Sequence, residues 1–220
     1  MKKILITGAA GFIGLHLAKK LSDYCKVDLI DNFFRAKKDN EFNEIIKRKN
    51  VNFINYDLSK KIKIKKQYDY IFHLAAIVGV NNVISKPYDV LYKNFLFLEN
   101  IIQFSLNQKR LKRVFFFSTS EVYAGSIETK LIRFPTPENQ IISLPKLSNK
   151  RSSYLLSKIY GEALSIHSGL PFTIIRPHNI YGPRMGYAHV IPELIKKILK
   201  DKKFIVFNPY HKRTFCFVDD

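Results

Sequence analysis

Tyr154 and Lys158 stand four residues apart in the run Ser153-Tyr-Leu-Leu-Ser-Lys-Ile-Tyr-Gly-Glu162. On a helix that spacing puts both on one face. A tyrosine with a pKa of about 10 is idle as a base near neutrality, but an ammonium beside it favours the phenolate. Upstream, Val114-Phe-Phe-Phe-Ser-Thr-Ser-Glu-Val-Tyr123 reads as a buried strand that releases Ser118, Thr119, Ser120 and Glu121 at its carboxyl end. In an open α/β sheet that edge is where ligands bind. Alone, a Tyr-x-x-x-Lys spacing also fits a packing tyrosine beside a surface lysine. The reading as a proton-abstracting pair therefore depends on what the other elements place around it.

Those elements begin at the N-terminus. Ile4, Leu5 and Ile6 form a short apolar run, expected to be a strand buried on both faces. Gly8, Gly11 and Gly14 follow, and Phe12, Leu15, Leu17, Ala18 and Leu21 resume as the apolar face of a helix. In such a strand, turn and helix the first glycine permits a tight turn and the second lets a pyrophosphate approach the helix N-terminus. The third lets helix and strand pack closely. Val27-Asp-Leu-Ile-Asp31 reads as a second strand ending in an acid. Asp31 is placed to bind the hydroxyls of an adenosine ribose and to repel the extra phosphate of NADP, or, with Asn32 following, to start a turn.

A weak helix is expected at 40–49, and a third strand at 51–55 leads to Asp57, beside an adenine or in a plain turn. Tyr70-Ile-Phe-His-Leu-Ala-Ala76 reads as a fourth strand and its exit, where Ala75 and Ala76 are small enough to let a cofactor approach; His73 reads as a packed strand residue. Residues 88–106 form a long helical pattern whose apolar positions cover much of its circumference, so the sheet is expected on one face and a partner subunit on another. Asn94, inside it, either hydrogen-bonds toward the sheet and its ligand or is a tolerated polar position. A loop is expected over 125–150, where Pro135, Pro137 and Pro145 fall, then a sixth strand at Thr173–Arg176, a helix at 191–199 and a further strand at Phe204–Phe207.

Composition narrows the function classes. The 37 basic residues outnumber 18 acidic ones, for a formal charge of +19, but the lysines fall in short groups at the ends and outer faces of elements. With no finger, basic helix or aromatic-basic repeat, they read as a solvated surface and no nucleic-acid partner is expected. No apolar run approaches the roughly 18 residues of a membrane span. Six scattered histidines lack ligand spacing, so no metal is expected. Cys25 and Cys216 are expected to be buried free thiols in a reducing cytoplasm.

Taken together, the motifs resemble those of extended short-chain dehydrogenase/reductases, specifically the NAD-dependent nucleotide-sugar epimerase/dehydratase family. The matching segments are Thr7-Gly-Ala-Ala-Gly-Phe-Ile-Gly14, Asp31-Asn32, Asp57-Leu58, His73-Leu-Ala-Ala76, Ser118-Thr-Ser-Glu-Val-Tyr123, Tyr154-Leu-Leu-Ser-Lys158, Arg176-Pro-His-Asn-Ile-Tyr-Gly-Pro183 and Arg213-Thr-Phe-Cys-Phe-Val-Asp-Asp220. The resemblance implies an α/β, Rossmann-like three-layer sandwich with a mostly parallel sheet. Residues 1–175 would form the NAD-binding domain, and 176–220 the final Rossmann elements interleaved with the beginning of a substrate-binding region. It implies NAD held by Gly8, Gly11, Phe12, Ile13, Gly14, Asp31, Asn32, Asp57, Leu58, Leu74, Ala75, Ala76, Asn94, Tyr154 and Lys158. Thr119 and Tyr154 would position a sugar, and a substrate diphosphate would lie near Asn179 and Arg213; Ser120 and Glu121 join the catalytic set, Glu121 either helping a decarboxylase or only orienting the loop, and Arg184 either meets a phosphate or faces water.

In such enzymes Tyr154 would take the proton of the sugar C4 hydroxyl as a hydride passes to NAD. The resulting 4-keto sugar can be reduced on its other face, lose carbon dioxide if it is a uronate, or lose water. Dehydratases of the family resemble one another in carrying Thr-Asp-Glu, whereas this chain reads Thr119-Ser120-Glu121, so C4 epimerisation is expected ahead of uronate decarboxylation and 4,6-dehydration. Family members normally continue well past the Arg213 segment. The resemblance therefore implies a substrate lobe barely begun at Asp220, and a fragment that binds NAD and turns over poorly or serves as a regulatory NAD-binding protein. A homodimer through the helices at 88–106 and 153–168 is expected.

Overall fold

β1 (Lys3–Thr7) buries four residues in succession, Ile4 to Thr7, because both of its faces are covered. In the computed structural model, which describes residues 1–200, 205–206, 209–210 and 212–220, it is a central strand of a six-stranded sheet. The others are β2 (Lys26–Asp31), β3 (Val51–Asn55), β4 (Tyr70–His73), β5 (Arg113–Phe117) and β6 (Phe172–Ile175). Their order is β3-β2-β1-β4-β5-β6 and every adjacent pair is parallel. The chain runs outward from β1 to β3, then returns to lay β4 on the other side of β1. That reversal opens a crevice at the carboxyl ends of β1 and β4.

Alternation along β1 divides the core. Ile4 and Ile6 point to one face, packing with Leu15 and Ala18 of α1 (Phe12–Ser22) and Phe42 and Ile45 of α2 (Asn40–Ile46). Leu5 points to the other, packing with Ile71, Val114, and Ile101 and Phe104 of α4 (Pro87–Leu106). Ahead of α4 lies a short helix, α3 (Val80–Ser85), that the periodicity did not show; the Pro87 at the start of α4 separates the two. On the β5 side, α6 (Ser152–His167) packs on α4 around Leu98, Ile102, Phe116 and Leu164. Gly161 permits this: a Cβ there would lie 2.6 Å from the Phe116 ring and 3.1 Å from Leu98.

Two expectations change. The 125–150 segment is not wholly loop, because a 3-10 turn at Ser120–Tyr123 continues into α5 (Ala124–Glu128). The remainder is folded back on that helix, with the Ser126 hydroxyl donating to the Ile141 carbonyl at 2.7 Å and accepting from the Ser143 N–H at 3.0 Å. Of the two cysteines Cys25 is buried as expected, whereas Cys216 is exposed on a short strand; both are free thiols. The strand expected at Phe204–Phe207 falls in part outside the described residues.

The chain divides into two compact units, Met1–Pro177, which holds the sheet above, and His178–Asp220. Within the second, β7 (Ile180–Tyr181) pairs in parallel with β8 (Cys216–Phe217), and α7 (Val190–Lys200) buries none of its residues.

A Cβ at Gly14 would lie 2.2 Å from the Gly8 carbonyl oxygen, whereas one at Gly186 meets nothing closer than 3.7 Å. Gly14→Ala is expected to cost about 1–3 kcal/mol through forced backbone shifts, and Gly186→Ala to stay within about 0.5 kcal/mol of the parent. Urea unfolding of the two variants checks the contrast.

Candidate active site

The glycine turn is pressed against the exit of β4. Gly8 has φ +68°, and a Cβ there would lie 2.7 Å from the Ala75 nitrogen and 2.9 Å from the Leu74 carbonyl carbon. Gly11 precedes α1 in extended backbone and no side chain caps the helix. A helix N-terminus without a capping side chain presents N–H groups and the positive end of its dipole to an anion. Phe12 and Ile13, in that first turn, are half-buried. At the end of β2, Asp31 accepts from the Ala10 N–H at 3.0 Å and the Phe33 N–H at 2.8 Å, which fixes its carboxylate beside the glycine turn. Asn32 accepts from Phe34 at 3.0 Å on the exposed side. Asp57 accepts from the Ser59 N–H at 2.9 Å, closing a turn, and the carbonyl of buried Leu58 accepts from Asn100 of α4 at 2.8 Å.

The β4 exit is held from three elements. The Ala75 N–H donates to Thr7 Oγ1 at 3.3 Å, and that hydroxyl lies 2.8 Å from His73 Nδ1. Burial, followed by the Lys158 charge, pushes His73 down to about 3, so it is a packed strand residue and no base near neutrality. Asn94 is buried in α4. It accepts from the Ile77 N–H at 2.6 Å and donates to the Ile77 carbonyl at 3.1 Å and to Ser157 Oγ at 3.2 Å. Its amide thus pins the strap after Ala76 to both α4 and α6.

The end of β5 brings the hydroxyl residues to α6. Thr119 is buried in extended backbone and accepts from the Glu121 N–H at 3.2 Å, and its hydroxyl lies near enough to Tyr154 to favour the phenolate. Ser120 is half-buried and Glu121 exposed. Lys158 Nζ donates to the Phe117 carbonyl at 2.6 Å, 5.0 Å from the Phe116 ring centroid and 5.9 Å from that of Tyr154. Burial pushes Tyr154 up to about 12, assisted by Glu121 and opposed by the Thr119 hydrogen bond and by Arg35. Burial also pushes Lys158 down to about 8, against the attraction of Glu162. The tyrosine–lysine spacing thus gives the shared site expected of it, but burial moves both groups toward their neutral forms.

Thr119, Tyr154 and Lys158 belong to the first unit with the glycine turn and Asp31. Asn179, Arg184 and Arg213 belong to the second. There Asn179 donates to the Thr214 carbonyl at 2.9 Å, next to exposed Arg213, while Asn179 and Arg184 both adopt positive φ, 44° and 70°. The sequence reading passed over three residues. Arg35 interacts electrostatically with both Asp31 and Tyr154, spanning the two ends of the site. Buried Glu162 forms an ion pair with half-buried Arg176 behind Lys158; a third acid or base at the same four-residue interval, Tyr154, Lys158, Glu162, was the available signal. Within the first unit the donor set fits a dinucleotide: a carboxylate for a ribose diol, uncapped helix N–H groups for a pyrophosphate, glycine cradles that any side chain would fill, and the tyrosine–lysine pair.

The profile of the NAD dependent epimerase/dehydratase family matches residues 4–220. The chain is 37% identical to a UDP-N-acetyl-alpha-D-glucosaminuronate decarboxylase of Bacillus cytotoxicus over 98% of its own length and 67% of the relative's. It is 30% identical to a dTDP-D-glucose 4,6-dehydratase of Dictyostelium discoideum over its whole length and 54% of the relative's. Among solved structures, the UDP-glucuronic acid 4-epimerase from Bacillus cereus in complex with UDP-glucuronic acid and NAD is similar with a TM-score of 0.80 and 29% identity, over 99% of this chain and 69% of that one. The chain thus spans between about half and two thirds of the length of these relatives.

His73 gives a pH test of the packing. Its value falls from 6.5 in the open chain to about 3 in the fold. Below pH 6.5 the unfolded chain therefore binds a proton that the fold refuses, and stability is lost as pH falls through that window. Urea unfolding at pH 7.5 and pH 5 is expected to show a larger loss in the parent than in His73→Asn; equal losses would contradict the assignment.

Proposed function

Because this chain belongs to the NAD dependent epimerase/dehydratase family, we propose that it oxidises C4 of a nucleoside-diphosphate sugar, with NAD as the cofactor, and re-reduces it to the C4 epimer. The observation that carries this reading is the gathering of Thr119, at the carboxyl end of β5, with Tyr154 and, one turn along α6, Lys158, whose Nζ lies 5.9 Å from the Tyr154 ring centroid. NAD would be held by the glycine turn, Asp31, Asp57 and the β4 exit, and when bound it takes up the C4 hydride and returns it. Thr119 would hold the C4 oxygen, and Tyr154, deprotonated to the phenolate that the Lys158 ammonium favours, would accept the proton of the C4 hydroxyl as the C4 carbonyl forms. In the return step the same tyrosine gives the proton back to that oxygen while hydride adds to the opposite face of C4.

Asn179, Arg184 and Arg213 are proposed to meet the diphosphate, residues 176–220 opening a substrate-binding region. Tyr88, Leu91 and Tyr92 of α4 and Tyr160 of α6 are exposed apolar or aromatic side chains, which supports a homodimer through these two helices. The free thiols support a reducing, cytoplasmic setting, and no helix among the described residues is long and apolar enough to cross a membrane.

A second reading is decarboxylation of a nucleotide-linked uronate through the same 4-keto intermediate. It is favoured by the 37% identity to the Bacillus cytotoxicus decarboxylase. Ser120, in the place where family dehydratases are expected to carry an acid, fits both readings.

Incubation with NAD and a panel of UDP-sugars and UDP-uronates, followed by NMR of the products, separates these outcomes. A C4 epimer supports the first reading, carbon dioxide and a shortened sugar the second, and a 4-keto-6-deoxy product overturns both. Tyr154→Phe is expected to reduce turnover by about 10²–10⁴-fold while leaving NAD affinity within a factor of about three.

A further inference from the structure

Tyr154, Lys158 and Glu162 succeed one another at four-residue intervals, so one stripe of α6 carries a hydroxyl, an ammonium and a carboxylate in line. Glu162 is buried, where a carboxylate stays charged only if it is compensated. Arg176, just past β6, donates from Nε to Oε1 at 2.9 Å and from Nη2 to Oε2 at 2.6 Å. The Ser118 hydroxyl donates to Oε1 at 2.5 Å. The same guanidinium donates from Nη1 to the Tyr123 hydroxyl at 2.5 Å and the Glu138 carbonyl at 3.0 Å, with its centre 5.1 Å from the Tyr123 ring centroid. One carboxylate thereby joins the ends of β5 and β6, the 3-10 turn and the 125–150 segment directly behind Lys158.

We infer that Glu162 is a positioning residue for the Tyr154–Lys158 pair: clamped by Arg176 and Ser118, its carboxylate is the fixed negative charge that keeps buried Lys158 an ammonium donating to the end of β5. This rests on the reading of Tyr154 as the base. The groups facing Lys158 are Tyr154 and Glu162 from α6, His73 from β4, and the Phe116 ring and Phe117 carbonyl from β5. Tyr154 further faces Glu121 and Arg35, and Arg176 stands beyond Glu162. Burial pushes Lys158 down to about 8, and Glu162 opposes that shift. A neutral residue at 162 removes the opposition. Loss of a clamp at 176 or 118 instead leaves the Lys158 ammonium as the cation that compensates the carboxylate, so that more of the field of Glu162 falls on Lys158.

The test is an NMR titration of the full chain carrying lysine labelled with ¹³C at Cε, with the Lys158 signal identified by its loss in Lys158→Arg. The midpoint of that signal is expected to fall by about one unit in Glu162→Gln, a tenfold change in the ammonium-to-amine ratio, and to rise in Arg176→Met. The alkaline limb of the pH–rate profile for sugar oxidation should move in the same directions. A Lys158 midpoint that stays put in both variants, or moves the same way in both, overturns the inference. If Glu162→Gln does not fold by circular dichroism, Arg176→Met and Ser118→Ala decide it, an upward shift supporting the inference and none refuting it. The titration requires no turnover, so a parent chain inactive on every nucleotide sugar would count against the proposed reaction and not against this charge relation.

Discussion

The constraint on which the crevice depends is backbone against backbone, where the turn after β1 meets the exit of β4. Gly8 faces the Leu74–Ala75 peptide and Gly14 faces the Gly8 carbonyl, with no room for a single carbon between either pair. Every element around the crevice is set by that approach. It places the N-terminus of α1 over the reversal of the sheet and lets Ala75 reach the Thr7 hydroxyl. It also brings the Ala10 N–H to the Asp31 carboxylate, so that β2 ends in register with the turn. The crevice is a by-product of strand order, but its depth is a property of three glycines.

On the β5 side the constraint is electrical. Lys158, His73 and Tyr154 are all driven toward neutrality, the first two buried and the tyrosine half-buried beside them. A low-dielectric pocket strengthens whichever charges persist in it, and the pocket keeps few. The ion pair of Glu162 with Arg176 is held by three hydrogen bonds to the carboxylate and four from the guanidinium. It lies on the far side of Lys158 from the tyrosine, so proton chemistry at the surface of the crevice is separated by one side chain from a permanently charged interior.

The sequence disclosed what depends on local pattern. The apolar run of β1 is readable because burial on both faces of a parallel sheet leaves an unbroken apolar signature, α4 because its apolar positions recur at helical spacing, and Tyr154 and Lys158 because their spacing has a chemical meaning. What stayed hidden depends on tertiary partners. Asn94 presented two equal roles until Ile77 was seen against it. Arg35 sits in an unpatterned stretch after β2, and only the fold brings it between Asp31 and Tyr154. Arg176 could be recognised as part of a motif but not as the partner of Glu162, fourteen residues earlier. Cys216 looked apolar in its sequence neighbourhood and is exposed because a two-residue strand has one neighbour to cover it.

Phe116 gives the absent side chain at Gly161 a mechanical meaning. Its ring stacks near His73 at a centroid distance of 6.1 Å, lies under the Lys158 ammonium and abuts α6 at Gly161. It is therefore a spacer of fixed thickness between the fourth strand and the helix that bears the tyrosine. Gly161 and Tyr154 are seven residues apart, about 10 Å along the axis at 1.5 Å per residue. The helix thus works as a rigid arm whose fulcrum is that ring, and the reach of the phenol into the crevice is gauged two turns away from it. Divergence in this protein's chemistry need not begin at the reacting groups: a change in the bulk at the fulcrum retunes their alignment while leaving every one of them in place.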